Sequence, residues 1–426
     1  MKDNNVIASE AWQSPLATEV ARRNYHISLA MTFALLFSSG NAYAGEFSGY
    51  IGGQTRNFIE DPLSSEQHNN YLSAVIEPEY LHEWDDGSQN IEVKLFYRAD
   101  QHDEERTHGD IRELSWTGVY DSWEVRAGIS KVYWGVAETQ HLVDIVNQTD
   151  LVENVDGEDK LGQPMIRLST ERDWGVVDLF ILPGFRERTF PGAEGRPRPE
   201  VIIDTDRDAI YDSSAEQDHV DFAARYSHYI GEWEFGLSLF TGTGREPTDF
   251  SPVATTTTGE PIVVPVYSLI NQIGIDGQAF FGDWTWKLEA ANTEVRTGDK
   301  KGINSFKSVT GFEYTLVGLA DSQMDLGFVV EYHYSDNRIT DTIFDNDLAT
   351  ALRFVLNDAQ STEVLAGFTT DADTQTIGSF IEASRRLGDS WTLEAQLRTF
   401  HGAKEDRPLY SFRFDDFAQV DLNYHF

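Results

Sequence analysis

The stretch Phe417 to Phe426 reads FAQVDLNYHF, and its period decides the fold. Counting back by twos from the terminus gives Phe426, Tyr424, Leu422, Val420 and Ala418; His425, Asn423, Asp421 and Gln419 lie between them. Strict alternation is the mark of a strand with one apolar and one polar face. The length suits a tilted strand that crosses a bilayer.

The same pattern recurs upstream. Ile91, Val93, Leu95, Tyr97 and Ala99 alternate with Glu92, Lys94, Phe96, Arg98 and Asp100. Trp123, Val125, Ala127 and Ile129 alternate with Glu124, Arg126, Gly128 and Ser130. Trp233, Phe235, Leu237 and Leu239 alternate with Glu234, Gly236, Ser238 and Phe240. Trp391, Leu393, Ala395 and Leu397 repeat it against Thr392, Glu394, Gln396 and Arg398. Charges of both signs on the second face suit a wet lumen better than a packed core.

Short connections punctuate these segments: DDGS at Asp85 to Ser88, YDSW ending at Trp123, ERDW at Trp174, GEW at Trp233, GDW at Trp284 and GDSW at Trp391. Trp123, Trp174, Trp233, Trp284 and Trp391 thus sit at one end of their strands, as an interfacial aromatic girdle requires. Long polar segments fall near 59–70, 101–110, 133–164, 184–217, 243–266, 296–303, 336–348 and 401–408. Short turns alternating with long loops predict an all-β, antiparallel up-and-down transmembrane barrel over 45–426. The count is about eighteen strands, with sixteen as the alternative, and a barrel that wide encloses an aqueous channel.

Here the chain resembles Gram-negative outer-membrane β-barrels of the porin-like class. The resemblance rests on the closing strand, where Leu422, Tyr424 and the terminal Phe426 match the ending read by the barrel-assembly machinery. It implies a cell outer membrane location, contact with outer-membrane lipid and lipopolysaccharide, and passage of small hydrophilic solutes. LGQPMIRLS and WGVVDLFILPGF look like parts of a family signature, without pointing to a substrate.

Composition agrees. Of 426 residues none is cysteine, which removes disulfides and thiolate metal sites. The formal net charge of −38 excludes nucleic acid as a partner. The apolar run Ile27 to Phe37 is too short to span as a helix. It follows Arg22 and Arg23 and leads to Ala42 and Ala44, so residues 1–44 read as a signal peptide, with 1–26 as an upstream extension.

The segment Tyr133 to Pro164 combines carboxylates, among them Asp144, Asp150, Glu153 and Asp156, with apolar LVDIV and LV. An exposed loop has no use for the apolar residues, so it is expected to fold inward and narrow the pore, as the third loop of porins does. Lys94, Arg98, Arg126, Arg167, Arg225 and Arg398 are expected on the facing wall, setting a transverse field. DTDRD at Asp204 to Asp208 begins like a calcium loop, but Ala209 stands where the glycine belongs and Ala215 at the twelfth position. No cofactor is expected beyond loose Ca²⁺ or Mg²⁺ at acidic outer loops. The histidines, including His141, His219, His228, His333 and His401, form no spacing that singles out a nucleophile and its base. The expected function is therefore non-enzymatic: passive diffusion of small solutes, weakly favouring cations. The alternatives are a barrel hydrolase with a Ser or Asp beside a rim histidine, and a structural or adhesion barrel with a plugged lumen. Alternation leaves a homo-oligomer open.

Overall fold

The computed structural model describes residues 45–257, 259–340, 342–374, 376–402 and 408–426; the expected leader, 1–44, lies outside them. The chain runs through β1 (Glu46–Phe58), β2 (Asn70–Trp84), β3 (Gln89–Asp100), β4 (Gly109–Tyr120), β5 (Trp123–Ser130), β6 (Gln163–Arg172) and β7 (Gly175–Pro183). Two short strands, β8 (Ile202–Ile203) and β9 (Ile210–Tyr211), precede β10 (Val220–Ile230) and β11 (Trp233–Thr243). A hairpin of β12 (Asp249–Thr255) and β13 (Pro261–Tyr267) leads to β14 (Leu269–Phe281), β15 (Trp284–Val295), β16 (Asn304–Leu316) and β17 (Asp325–Ser335). The series ends with β18 (Asn346–Val355), β19 (Glu363–Asp371), β20 (Ile377–Leu387), β21 (Trp391–His401) and β22 (Phe417–His425).

Eighteen of these form one antiparallel sheet, each strand pairing with the next, with β7 joined to β10 and β11 to β14. The sheet closes where β22 pairs with β1, in a register that sets Tyr424 opposite Ile51. Closure leaves no edge with unpaired backbone groups, the condition for a sheet to stand in lipid. The expected fold and strand number are observed.

Alternation separates the faces. On β7, Leu179 and Ile181 point outward, 47% and 44% exposed, while Phe180 and Leu182 point inward and are buried. On β11 the outward set is Trp233, Phe235, Leu237 and Leu239. The apolar outer band is stabilised by lipid, and the inner face is free to be polar.

Short turns at 85–88, 121–122, 173–174, 231–232, 282–283, 317–324, 356–362 and 388–390 lie at one end. Trp123, Trp174, Trp233, Trp284 and Trp391 all stand exposed beside them. Trp391 packs on Tyr424 at 5.1 Å between ring centroids, and Trp233 on Phe281 at 5.7 Å. Nine connections occupy the other end, one more than expected, because 372–376 is too short to read as a loop. The segments expected as plain loops at 184–217 and 243–266 contain β8, β9, β12 and β13, which form a separate small sheet. Two-residue strands carry no periodicity, and the prolines of PIVVPVY argue against a strand.

One glycine is required by the wall. Gly128, within β5, has φ +138°, and a Cβ there would lie 2.1 Å from the Leu114 carbonyl oxygen. Gly128→Val should therefore prevent closure of β4 on β5. The expected result is loss of the heat-modifiable folded band on electrophoresis, with Gly53→Ala, where a Cβ meets nothing within 4 Å, as a control that folds.

Candidate functional site: the inward loop

The connection 131–162 between β5 and β6 starts and ends two residues before the expected 133–164. Its apolar residues seat against the inner wall: Val143 and Val146 are fully buried with Met165, Phe180, Leu182, Ala223, Phe240 and Ile270 of β6, β7, β10, β11 and β14. Burial of two such side chains stabilises the seat by roughly 1.5–3 kcal/mol each. Trp134 completes it, its ring 5.5 Å from that of Phe180.

Two wall carboxylates hold the next part by its backbone. Glu289 of β15 accepts the N–H groups of Val136 at 2.6 Å, Ala137 at 2.8 Å and Leu142 at 2.7 Å, and reaches Val143 at 3.4 Å. Glu331 of β17 accepts those of Glu138 at 2.8 Å and Thr139 at 3.0 Å. A Cβ at Gly135 would lie 2.5 Å from the Glu289 carboxylate, so only glycine fits here. Glu138 then pairs with Lys287 of β15 and, at 2.6 Å, with Arg353 of β18.

The far part reaches other strands. Glu153 accepts from Arg98 of β3 at 2.8 and 2.7 Å, and Asp156 from Arg398 of β21 at 2.9 Å. The loop therefore touches wall strands on all sides of the lumen. Burial alone would raise the Glu153 carboxyl, but Arg98 and Arg106 hold it down at about 2. The carboxylates of Glu158 at 3.5 Å and Glu289 at 3.7 Å push His141 up to about 10, so the ring is cationic at neutral pH.

The expected constriction carboxylates behave differently from one another. Asp144 is buried against Lys160, and Asp150 takes the Thr189 hydroxyl at 2.7 Å with its side chain fully buried. Glu153 is 6% exposed. These three do not line open lumen, a correction to the sequence reading: a buried carboxylate needs a partner, and they are used to tie the loop down. Asp156, with its side chain 21% exposed, faces the lumen beside Arg398.

The expected basic residues all lie on the inner face, but most are paired. Lys94 meets Glu79 at 2.6 Å, and Arg167 meets Glu124 at 3.2 Å and Asp178 at 3.1 Å. Arg225 is bidentate to Asp276, both contacts 2.7 Å. Arg398 also reaches Glu382 at 2.8 Å. Arg126 bonds Thr117 at 3.1 Å and stands opposite Arg167 in the ladder. The transverse field expected between loop and wall is thus shortened into direct ion pairs at Glu153–Arg98 and Asp156–Arg398.

Sequence reasoning missed Glu289, Glu331, Lys287 and Arg353, since a carboxylate on an alternating wet face looks like any other. It also missed Arg112, which a bulge between β3 and β4 turns onto Phe96, 3.7 Å from the ring centroid, with Glu77 at 3.1 Å. A readable signal existed for the apolar seat: Phe240 breaks the polar set of its strand.

Four histidines lie within reach of an oxygen that could matter for hydrolysis: His333 Nε2 of Thr139 Oγ1 at 2.7 Å, His219 of Asp221 at 2.7 Å, His425 of Thr392 at 3.0 Å and His108 Nε2 of Asp150 at 3.3 Å. His333 Nδ1 has no partner among the described residues, so no carboxylate orients that ring as a base. His219 faces only a carboxylate already held by Arg245 at 2.7 Å. His108, Asp150 and Glu153 cluster closely enough to consider a cation. Arg98 and Arg106 already neutralise that group. In the DTDRD segment, Asp204 accepts the N–H groups of Asp206 and Arg207 at 3.2 Å and pairs with the Arg207 guanidinium at 2.8 Å, so it caps a turn.

No family model and no curated protein matches the sequence. Among solved structures, OccK11 (OpdR) of Pseudomonas aeruginosa is similar with TM-score 0.50 and 11% identity, over 89% of this chain and 95% of that one. A mutant of the Rh. blastica porin has TM-score 0.42 and 12% identity, over 90% and 100%. OmpT, an outer membrane protein of Vibrio cholerae, in a form lacking loop L8, has TM-score 0.44 and 9% identity, over 90% and 99%.

Proposed function

We propose that this closed eighteen-strand barrel, which has the fold of outer-membrane porins, is a passive diffusion channel for small hydrophilic solutes, narrowed by residues 131–162. The observation that carries the reading is the loop itself, drawn across the lumen by Glu289, Glu331, Arg98 and Arg398. The channel reading requires a polar path beside this loop and no catalytic group. Liposomes containing the protein should swell in isosmotic solutions of small sugars, at rates that fall steeply with sugar size. Rates equal to protein-free liposomes for every sugar would favour the plugged, structural barrel.

A weak preference for cations belongs to the same proposal. The wall arginines are mostly neutralised by partners, while Asp159 carries no ion pair among the described residues. Burial, with Glu153, Asp156 and Asp150 nearby and Arg112 opposing, pushes Asp159 up to about 7. Its proton therefore leaves as pH rises through 7, adding a negative charge at the narrow part above that value. Cation selectivity should fall between pH 8 and pH 6, read from the reversal potential, and Asp159→Asn should abolish this step.

Leu422 and Tyr424 face outward on β22 with Phe426 beyond them, each 40% exposed. That outward placement supports their reading as the signal for assembly.

A further inference from the structure

The connection between β7 and β10 contains a second device that the channel reading does not absorb. Residues 191–200, PGAEGRPRPE, form an Ω-shaped excursion. Both of its ends are pinned in one apolar cluster, where Phe190 packs with Ile203 and Val263, and Val201 and Leu151 pack against them. The tip lies far from β7 and β10, six strands round the ring, at the seam of β1 and β22.

At that seam the tip is held by hydrogen bonds and charge, with one guanidinium lying over an aromatic platform. The Arg196 side chain is fully buried, its Nε 2.5 Å from Asp415 and its Nη1 3.2 Å from Asn69, and it donates to the Phe414 carbonyl as well. The guanidinium lies 4.2 Å from the Phe58 ring centroid, over a platform of Phe58, Tyr71 and Phe417. Tyr71 donates its hydroxyl to the Glu194 carbonyl at 2.5 Å, and Gln67 donates to that of Gly195 at 2.9 Å. Arg56 of β1 joins the two loops: it donates to the Arg196 carbonyl at 3.4 Å and to the Glu153 carbonyl of the inward loop at 3.3 Å.

This distribution is asymmetric in a way that matters. The apolar clasp at the ends holds by excluding water, whereas the bonds at the tip can be exchanged for bonds to water at a small net cost. We propose that residues 191–200 are a strap across the extracellular mouth, hinged at the clasp around Phe190 and latched at the seam by Arg196, and that its release opens the channel to larger solutes. The inference rests on the channel reading, and the test separates the two.

Single-channel recordings of the purified protein, paired with native-state cleavage by a Glu-specific protease after Glu194, read the latch directly. Arg196→Ala removes the guanidinium that pairs with buried Asp415 and leaves it only the Arg198 N–H and charge, so strap opening, and with it the cleavage rate, should rise on the order of 100-fold. The fraction of time in the highest conductance level should rise with it. Asp415→Asn, a smaller change, should move both readouts in the same direction and serves if Arg196→Ala does not fold. Faster cleavage with unchanged conductance levels would show a mobile strap that gates nothing, and unchanged cleavage would show a fixed one; either overturns the proposal. A wild-type protein that never conducts would instead overturn the channel reading.

Discussion

Replacing Glu289 with alanine should raise single-channel conductance severalfold, with the barrel still folded. Glu289 is completely buried and its two oxygens receive up to four loop N–H groups. Each buried donor left without a partner costs about 1–3 kcal/mol, so the loop gains by leaving the wall and hydrating. Glu289→Gln sharpens the argument. It keeps the shape but turns one oxygen into an NH₂ that faces N–H donors, so it should enlarge the conductance too, though less. Both variants keep the strand ladder of β14, β15 and β16, so heat-modifiability should be unchanged. Conductance equal to wild type in both variants would mean that the loop stays seated on Val143 and Val146 alone.

The second large effect concerns Arg98 and Glu153, a pair in which each partner is 6% exposed. Removing one partner of a buried pair destabilises by about 3–5 kcal/mol, because the other charge is left desolvated. The two single variants differ in sign. Arg98→Ala leaves a negative group, which escapes into the lumen and should increase cation selectivity. Glu153→Gln leaves Arg98 and Arg106 in excess and should move the reversal potential toward anions. Glu153 is held at about 2 by its arginines, a depressed value. Its contribution to holding the loop is therefore complete above the ordinary carboxylate range and is lost only as pH falls toward 2. Acidification from pH 8 to pH 5 should leave this anchor intact while it titrates Asp159. If both variants shift selectivity in the same direction, the pair is not what sets charge at the constriction.

Much of this fold can be read from residues because a lipid-facing sheet imposes a period of two on the chain. Leu237 and Leu239 had to face outward, and Trp391 beside its turn had to sit at an interface. The inward loop is legible for a similar reason, since LVDIV has no place in solvent and Val143 and Val146 indeed contact none. Its anchors are not legible. Glu289 and Glu331 differ from Glu382 only in what lies across the lumen, and that depends on the path of a loop more than a hundred residues away. The same holds for Asp144, Asp150 and Glu153, whose burial follows from partners at Lys160, Thr189 and Arg98. The strap is harder still: Pro and Gly mark PGAEGRPRPE as irregular, but nothing local tells Arg196 to seek Asp415.

The most direct test of the channel is the conductance of the folded barrel in a planar bilayer across a salt gradient. The account predicts stable open steps and a reversal potential on the cation side at pH 8. Silence from a folded, heat-modifiable barrel would contradict it.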